Sequence, residues 1–237
     1  MLFYWFLKFV AIGPAVRVLF RPRAEGVEHV PASGAAILAS NHLSAADWIF
    51  MPLSIRRRVT FLAKAEYFTG TGVKGFLQRA FFSGAGQVPI DRTSASAAED
   101  AIQTGLGILR DGKLLGIYPE GTRSPDRRLF RGKIGVARMS LQTGVPVVPV
   151  AMCYSHLSLP FGRKIMRVTV RFGEPLDFSR YEGLAGDRFV ERSITDEIMY
   201  AIMELSGQEY VKDFYAADVK KSLEAGKGYP PGSEPRS

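Results

Sequence analysis

The sequence predicts an α/β fold: a single domain with a mixed, mostly parallel central sheet flanked by helices, plus an N-terminal apolar membrane-anchoring helical segment. Three observations predict it. Compact apolar runs of strand length alternate with longer segments at helical spacing, as expected of a sheet covered on both faces. The length of 237 residues suits one large domain, and a chain of that size buries roughly 70–75% of its unfolded surface. No internal repeat or low-complexity linker divides it, and 23% charged with 46% hydrophobic residues excludes a disordered chain or a multi-span membrane protein.

The elements follow in order. Residues 1–12 form a dense apolar run that meets Gly13-Pro14. A helix stopped there reaches about 18 Å against a hydrocarbon core of about 30 Å. Extending it through Val16, Val18, Leu19 and Phe20 barely spans, and carries Lys8 and a proline kink. A signal peptide fits poorly, because no basic segment precedes the apolar run. Phe3, Tyr4, Trp5, Phe6 and Phe9, followed by arginines, fit a segment lying in a membrane interface. A helix packed into a core would account for the same run. Residues 1–24 are thus expected to associate with a membrane, 25–225 to form the folded domain, and 226–237, rich in proline with nothing to pack, to form a flexible tail.

Within the domain, Ala35–Ser40 and Val59–Ala63 read as buried strands, Ser44–Ile55 and Val73–Phe82 as helices. Ser96–Arg110 places Ala98, Ala101, Ile102, Leu106 and Leu109 at helical spacing. Leu114–Tyr118 and Val147–Met152 are apolar strand-length runs, and Met166–Phe172 alternates as a half-exposed, edge-like strand does. Asp187–Leu205 carries Val190, Ile194, Ile198, Ile202 and Leu205 on one stripe, and 206–225 looks helical.

The net charge of +8 is concentrated. Residues 1–23 carry +4 and residues 121–138 carry +5, so the remainder is close to neutral. Two local basic regions suggest discrete anionic partners, with nucleic acid, membrane phosphates and phosphorylated substrates all open on charge alone. The single cysteine, Cys153, can form neither an internal disulfide nor a cysteine metal site, which favours a reducing compartment.

Among the three histidines, His42 directly follows a strand, where ligand sites of open α/β sheets lie. Asp47 stands five residues on. The two could not meet on one continuous helix, but an acid in the first helical turn can fold back to a histidine in the preceding turn. Such a pair makes a general base. Ser44-x-x-Asp47 is equally the spacing of a capping box, and spacing alone does not choose. A second cluster, Tyr118-Pro119-Glu120-Gly121-Thr122-Arg123-Ser124, offers a glycine for a tight turn, hydroxyl donors and a planar guanidinium suited to a phosphate. An ordinary strand-to-loop turn with a solvated arginine would look the same. Gly86–Arg92 ends a strand in Asp91-Arg92, which an ion pair would explain, and Val145–Val150 reads as a packed strand entered through prolines.

Taken together, these four segments resemble those of the lysophosphatidic acid acyltransferase family, the PlsC-like glycerolipid acyltransferases. Asn41-His42-Leu43-Ser44-Ala45-Ala46-Asp47 matches the family's His-x4-Asp motif, and the other three segments follow in family order over roughly residues 25–175. Pro89 stands where the second block usually has a bulky apolar residue, and Tyr118 where phenylalanine is common. The resemblance implies an enzyme of phospholipid biosynthesis. It moves a fatty acyl group from acyl-CoA or acyl-carrier protein to the free hydroxyl of lysophosphatidic acid, giving phosphatidic acid. It implies His42 as the base oriented by Asp47, Arg92 and Arg123 as phosphate contacts, Glu120, Gly121 and Thr122 as that pocket's wall, and Lys64 as a further phosphate contact. No metal and no cofactor beyond the acyl donor is implied. The expected partners are lysophosphatidic acid, the donor and membrane lipids, not nucleic acid. The expected location is the cytoplasmic face of the cell membrane, peripheral or monotopic.

Rival readings fit less well. A glycerol 3-phosphate or other lysophospholipid acceptor uses the same motifs. A serine hydrolase lacks the Gly-x-Ser-x-Gly elbow, a P-loop enzyme lacks its Gly-x4-Gly-Lys-Ser/Thr run, and a metal enzyme would have one histidine and no cysteine cluster. A non-catalytic basic membrane-surface protein has no use for His42 and Asp47 in a strand-to-helix turn.

Overall fold

A computed structural model describes residues 2–91, 96–158 and 164–235. Seven strands, β1 (Arg23–Glu25), β2 (Ala36–Ser40), β3 (Val59–Lys64), β4 (Gln87–Ile90), β5 (Leu114–Ile117), β7 (Val147–Ser158) and β8 (Lys164–Phe172), form one sheet in the order β1-β8-β7-β2-β5-β3-β4. All neighbours are parallel except β7 and β8. Two short strands, β6 (Leu129–Phe130) and β9 (Tyr210–Val211), pair separately. The expected mixed, mostly parallel sheet is what the chain forms.

Helices cover both faces: α3 (Asp47–Ser54), α4 (Gly72–Gly84), α5 (Ala97–Arg110), α6 (Gly135–Thr143), α7 (Arg188–Ser206) and α8 (Ala216–Glu224). Strand β2 shows why its run is apolar throughout. Ile37 and Ala39 pack with Leu106 of α5, Val136 of α6 and Ile198 of α7, whereas Ala36 and Leu38 pack with Phe50 and Met51 of α3. Helix α7 begins where Asp187 accepts from the Phe189 and Val190 amides, and ends at Gly207 with φ near +69°.

The N-terminal segment does not stop at Gly13-Pro14. Helices α1 (Leu2–Phe6) and α2 (Ile12–Phe20) are joined by a π-helical turn over Leu7–Ala11. The wider turn ahead of Pro14 eases the clash between its ring and the carbonyl four residues back. The resulting 19-residue run is long and apolar enough to cross a membrane by length and composition. One side of it is tied to the domain. Tyr4, Lys8 and Gly13 are buried, Val16 and Phe20 are partly buried, and Lys8 Nζ donates to the Ile55 carbonyl at the end of α3. The opposite side leaves Leu2, Phe3, Phe6, Phe9, Val10, Val18 and Leu19 exposed.

Three expectations are corrected. Met166–Phe172 alternates in burial but is not an edge, because β1 pairs outside it. Only the second part of 206–225 is helical, the first supplying β9. The segment after 225 is not without packing. Tyr229 joins Phe130, Val211 and Val219, Ser233 is fully buried, and Arg128 donates to the carbonyls of Ser233 and Glu234 at 2.5 and 2.9 Å. A guanidinium with several donors can bond more than one carbonyl at once.

Candidate active site

Strands β2, β5, β3 and β4 run parallel, so their carboxyl ends share one edge of the sheet. His42, the loop from Tyr118 and Lys64 all follow or end strands on that edge. Asn41 fixes the first of them. Fully buried, it extends the β2–β7 ladder with its side chain: the Met152 amide donates to Oδ1 at 2.7 Å, and Nδ2 donates to the Met152 carbonyl at 3.1 Å. Its Nδ2 also reaches Gln208 Oε1 at 2.6 Å, and Gln208 Nε2 donates to the Arg127 carbonyl.

Asp47 is the first residue of α3, and its side chain folds back over the turn. Oδ2 lies 2.8 Å from His42 Nδ1 and accepts the Leu43 and Ser44 amides at 2.8 and 2.9 Å. The His42–Asp47 reading is realised together with half of the capping box: Asp47 Oδ2 holds the imidazole and accepts the Ser44 amide, but the Ser44 hydroxyl accepts from the Ala46 amide and not from that of Asp47. Oδ1 accepts the hydroxyl of Tyr154 on β7. Asp47 is wholly buried, whereas the His42 side chain keeps 18% of its surface exposed. With a carboxylate accepting at Nδ1, that nitrogen carries the proton and Nε2 is left as the acceptor.

The imidazole also lies flat on a ring. His42 and Tyr118 stack with centroids 3.9 Å apart and planes 12° from parallel, and Phe61 stacks on Tyr118 in turn. The Tyr118 hydroxyl is buried with no hydrogen-bond partner among the described residues. Burial, then the charges of Asp47 and Tyr154, push its phenol well above the ordinary range. Tyr154 is pushed up by burial and by Asp47, so it remains a protonated donor.

The loop after β5 closes on His42 directly, the Ser124 amide donating to the His42 carbonyl at 2.9 Å. Gly121, at φ +75°, turns the chain where the Lys133 side chain lies over it. Arg123 is exposed and Thr122 partly so. Glu120 turns inward instead. It is fully buried, both carboxyl oxygens lack a hydrogen-bond partner among the described residues, and burial pushes its pKa well up against the pull of the Phe130 amide. Its carboxyl group is thus part of the interior beneath the loop. Lys64 is exposed at the end of β3, and Arg92 lies outside the described residues. Among the described residues, no group of three His, Cys, Asp or Glu side chains is placed to hold a metal ion.

A family model described as Acyltransferase matches residues 21–153, more than half of the chain and all of the His42–Asp47 turn and the loop after β5. The chain belongs to the acyltransferase family. Its relatives include the chloroplastic 1-acyl-sn-glycerol-3-phosphate acyltransferase LPAT1 of Arabidopsis thaliana, 30% identical over 161 residues that cover 68% of this chain and 44% of that protein. The 1-acyl-sn-glycerol-3-phosphate acyltransferase of Bacillus subtilis is 30% identical over 126 residues, 52% of this chain and 58% of that one. The chain spans about half the length of the curated relatives it matches. In fold it is similar to the 1-acyl-sn-glycerophosphate acyltransferase PlsC of Thermotoga maritima, with a TM-score of 0.50 and 23% identity, covering 84% of this chain and 87% of that one.

In this acyltransferase the family match ends at Cys153, one residue before Tyr154. Reading motifs could not find that tyrosine. The signal that could have is strand alternation, which puts Tyr154 on the side of buried Val150 and Met152, the one hydroxyl in an apolar row.

Proposed function

We propose that this acyltransferase transfers a fatty acyl group from an acyl thioester, on coenzyme A or acyl-carrier protein, to the free hydroxyl of lysophosphatidic acid, giving phosphatidic acid. The observation that carries the reading is the buried Asp47 holding Nδ1 of a partly exposed His42 at 2.8 Å. Nε2 takes the proton from the acceptor hydroxyl as its oxygen attacks the thioester carbonyl. The tetrahedral intermediate then collapses, the carbon–sulfur bond breaks, and the imidazolium returns its proton to the thiolate. The products are the acylated lipid and a free thiol, and no covalent acyl-enzyme is needed. Asp47 stabilises the imidazolium formed on the way, a contribution of about 10²–10⁴ in rate for a base of this kind. Arg123, with Thr122 and Gly121, binds the acceptor phosphate, Lys64 assists from the end of β3, and Arg92, outside the described residues, is a further phosphate contact on its motif alone. Glu120 supports that loop from beneath.

The N-terminal helix lies in the membrane interface in this reading, on the cytoplasmic face. A helix fastened to the domain from Tyr4 to Phe20 has no free length with which to cross, and its other side is apolar. Support for the substrate class comes from the relatives' names and from the exposed Arg123 beside the loop that touches His42.

The test is purified protein with a panel of acceptors (lysophosphatidic acid, glycerol 3-phosphate, other lysophospholipids) and both donors, read by the mass of the lipid product. His42→Ala should lose at least about 10² in turnover while vesicle binding persists. Unchanged turnover would sink the mechanism, and a preferred acceptor other than lysophosphatidic acid would replace the substrate.

A further inference from the structure

Helix α4 presents a second apolar surface, separate from the N-terminal helix in sequence but joined to it in space. Val73, Phe76 and Leu77 are 77%, 64% and 60% exposed, and Ala80 is exposed too. These four stand at i, i+3, i+4 and i+7, one continuous stripe along the helix. The opposite side of α4 is the packed one. Gly75 touches the Gly70 backbone so closely that a Cβ there would lie 2.0 Å from the Gly70 carbonyl oxygen, and Phe81 and Phe82 lie against Trp48. The stripe is therefore not a face turned outward by loose packing, because the helix already has its contact with the domain.

Two further features say what covers the stripe. At its C-terminal end α4 meets α1: the Phe3 ring occupies the space a Gly84 side chain would fill, its nearest atom 2.1 Å from that Cβ position. The exposed apolar side of the N-terminal helix, with Phe3 and Phe6 half exposed, thus adjoins α4 at this contact. The charge is one-signed. Helix α4 carries exposed Lys74 and Arg79 and no acid. Arg58 lies between the two helices, its guanidinium 5.2 Å from the Tyr4 ring centre and 3.5 Å from the Ser83 carbonyl. Arg17 and Arg21 add exposed cations at the far end of the N-terminal helix, and the acid nearest α4 in sequence is Glu66, ahead of the helix. An apolar stripe on a helix whose charged residues are all cations matches the boundary between acyl chains and anionic headgroups.

We infer that α4 is a lipid-contacting helix: Val73, Phe76, Leu77 and Ala80 insert at the bilayer surface beside the N-terminal helix, with Lys74, Arg79 and Arg58 against anionic headgroups. The inference rests on the reading of the N-terminal helix as a membrane segment and extends it to a second, internal element. Contacts from two separate helices restrict the tilt of the domain on the surface, which one helix alone leaves free to roll.

The test uses the full chain and vesicles of phosphatidylcholine with one-quarter phosphatidylglycerol. A Leu77→Cys, Cys153→Ser variant carries an environment-sensitive fluorophore at position 77, and quenching is measured with a nitroxide attached to the lipid. The label should be quenched on bound protein, and Phe76→Ser with Leu77→Ser should lower vesicle partitioning about tenfold. That drop should shrink on phosphatidylcholine alone, where wild-type binding is weaker. An unquenched label on vesicle-bound protein overturns the inference while leaving the N-terminal segment as the membrane contact. Wild-type protein that stays in the supernatant overturns both. Sedimentation velocity covers the remaining occupant: if the double serine variant dissociates a larger species without changing partitioning, the stripe is a protein interface and the inference is wrong.

Discussion

Tyr118→Phe and Tyr154→Phe remove the same atom from two rings that touch the same dyad, and the structure assigns them opposite effects. The Tyr154 hydroxyl is the donor to Asp47 Oδ1, and Asp47 is wholly buried. Its removal leaves a buried carboxylate oxygen short of a donor, which costs about 1–3 kcal/mol. If that loss falls on the transition state, where Asp47 steadies the imidazolium, turnover drops roughly 5–150-fold. The Michaelis constants for both substrates should change less than twofold, because Tyr154 acts through Asp47. The Tyr118 hydroxyl has no partner among the described residues, so its removal relieves a buried unpaired dipole and keeps the stack on His42. Tyr118→Phe should be neutral or stabilising by up to about 1 kcal/mol, with turnover kept. Urea unfolding and steady-state kinetics on the two variants and wild type decide it. A destabilised Tyr118→Phe, or a Tyr154→Phe indistinguishable from wild type in both measurements, would refute the reasoning.

Glu120→Gln tests the buried carboxyl group. Burial raises its folded pKa, so above the ordinary carboxyl range the folded chain keeps a proton that the unfolded chain has released, and stability falls as pH rises towards the folded value. The slope from this group is at most about 1.4 kcal/mol per pH unit, and the glutamine variant should flatten it in urea titrations from pH 5 to 8; an unchanged slope refutes it. Arg123→Ala should raise the Michaelis constant for the phosphorylated acceptor about tenfold or more, with little change for the thioester, since a charged hydrogen-bonded contact is worth about 1.5–3 kcal/mol. Equal effects on both substrates would count against the assignment. Lys8→Met keeps the length of the side chain but removes the donor to the Ile55 carbonyl, so limited proteolysis should cut within residues 2–20 faster than in wild type. Equal cleavage rates would mean that the bond does not fasten the helix.

The elements were legible where one physical signal dominates. Ile37, Leu38 and Ala39 mark a strand buried on both faces, and Ile194, Ile198 and Ile202 mark one side of α7, because burial alone dictates those residues. The His42–Asp47 contact was legible as one of two arrangements, and the structure has it together with half of the other, since one carboxylate oxygen can accept several donors. Tyr154 was not, because its role depends on β7 running on past the end of β2 to overhang α3, a length no local pattern sets. Glu120 shows the reverse. The resemblance implied the pocket wall, but the turn at Gly121 leaves Glu120 buried while Arg123 stays outside. The packing of Tyr229 and Ser233 was hidden for a similar reason: a proline-rich, polar segment gives no periodic signal, and the partners that hold it, Arg128 and the cluster around Phe130, lie about a hundred residues away in sequence.

Strand β1 pairs only with β8, Arg23 lying opposite Thr169. On a ribosome this means that the strand leaving first waits for nearly three-quarters of the domain before it has a neighbour. During that interval α2 has no β8 to lean on, although α3 and the Ile55 carbonyl that Lys8 bonds are already made. Under the proposed membrane role, the apolar segment can meet a bilayer before β8 is made, and the domain would then complete at the surface. Closure of the sheet by β8 is a slow, long-range step of the kind that high contact order imposes, and delivery to the membrane need not wait for it.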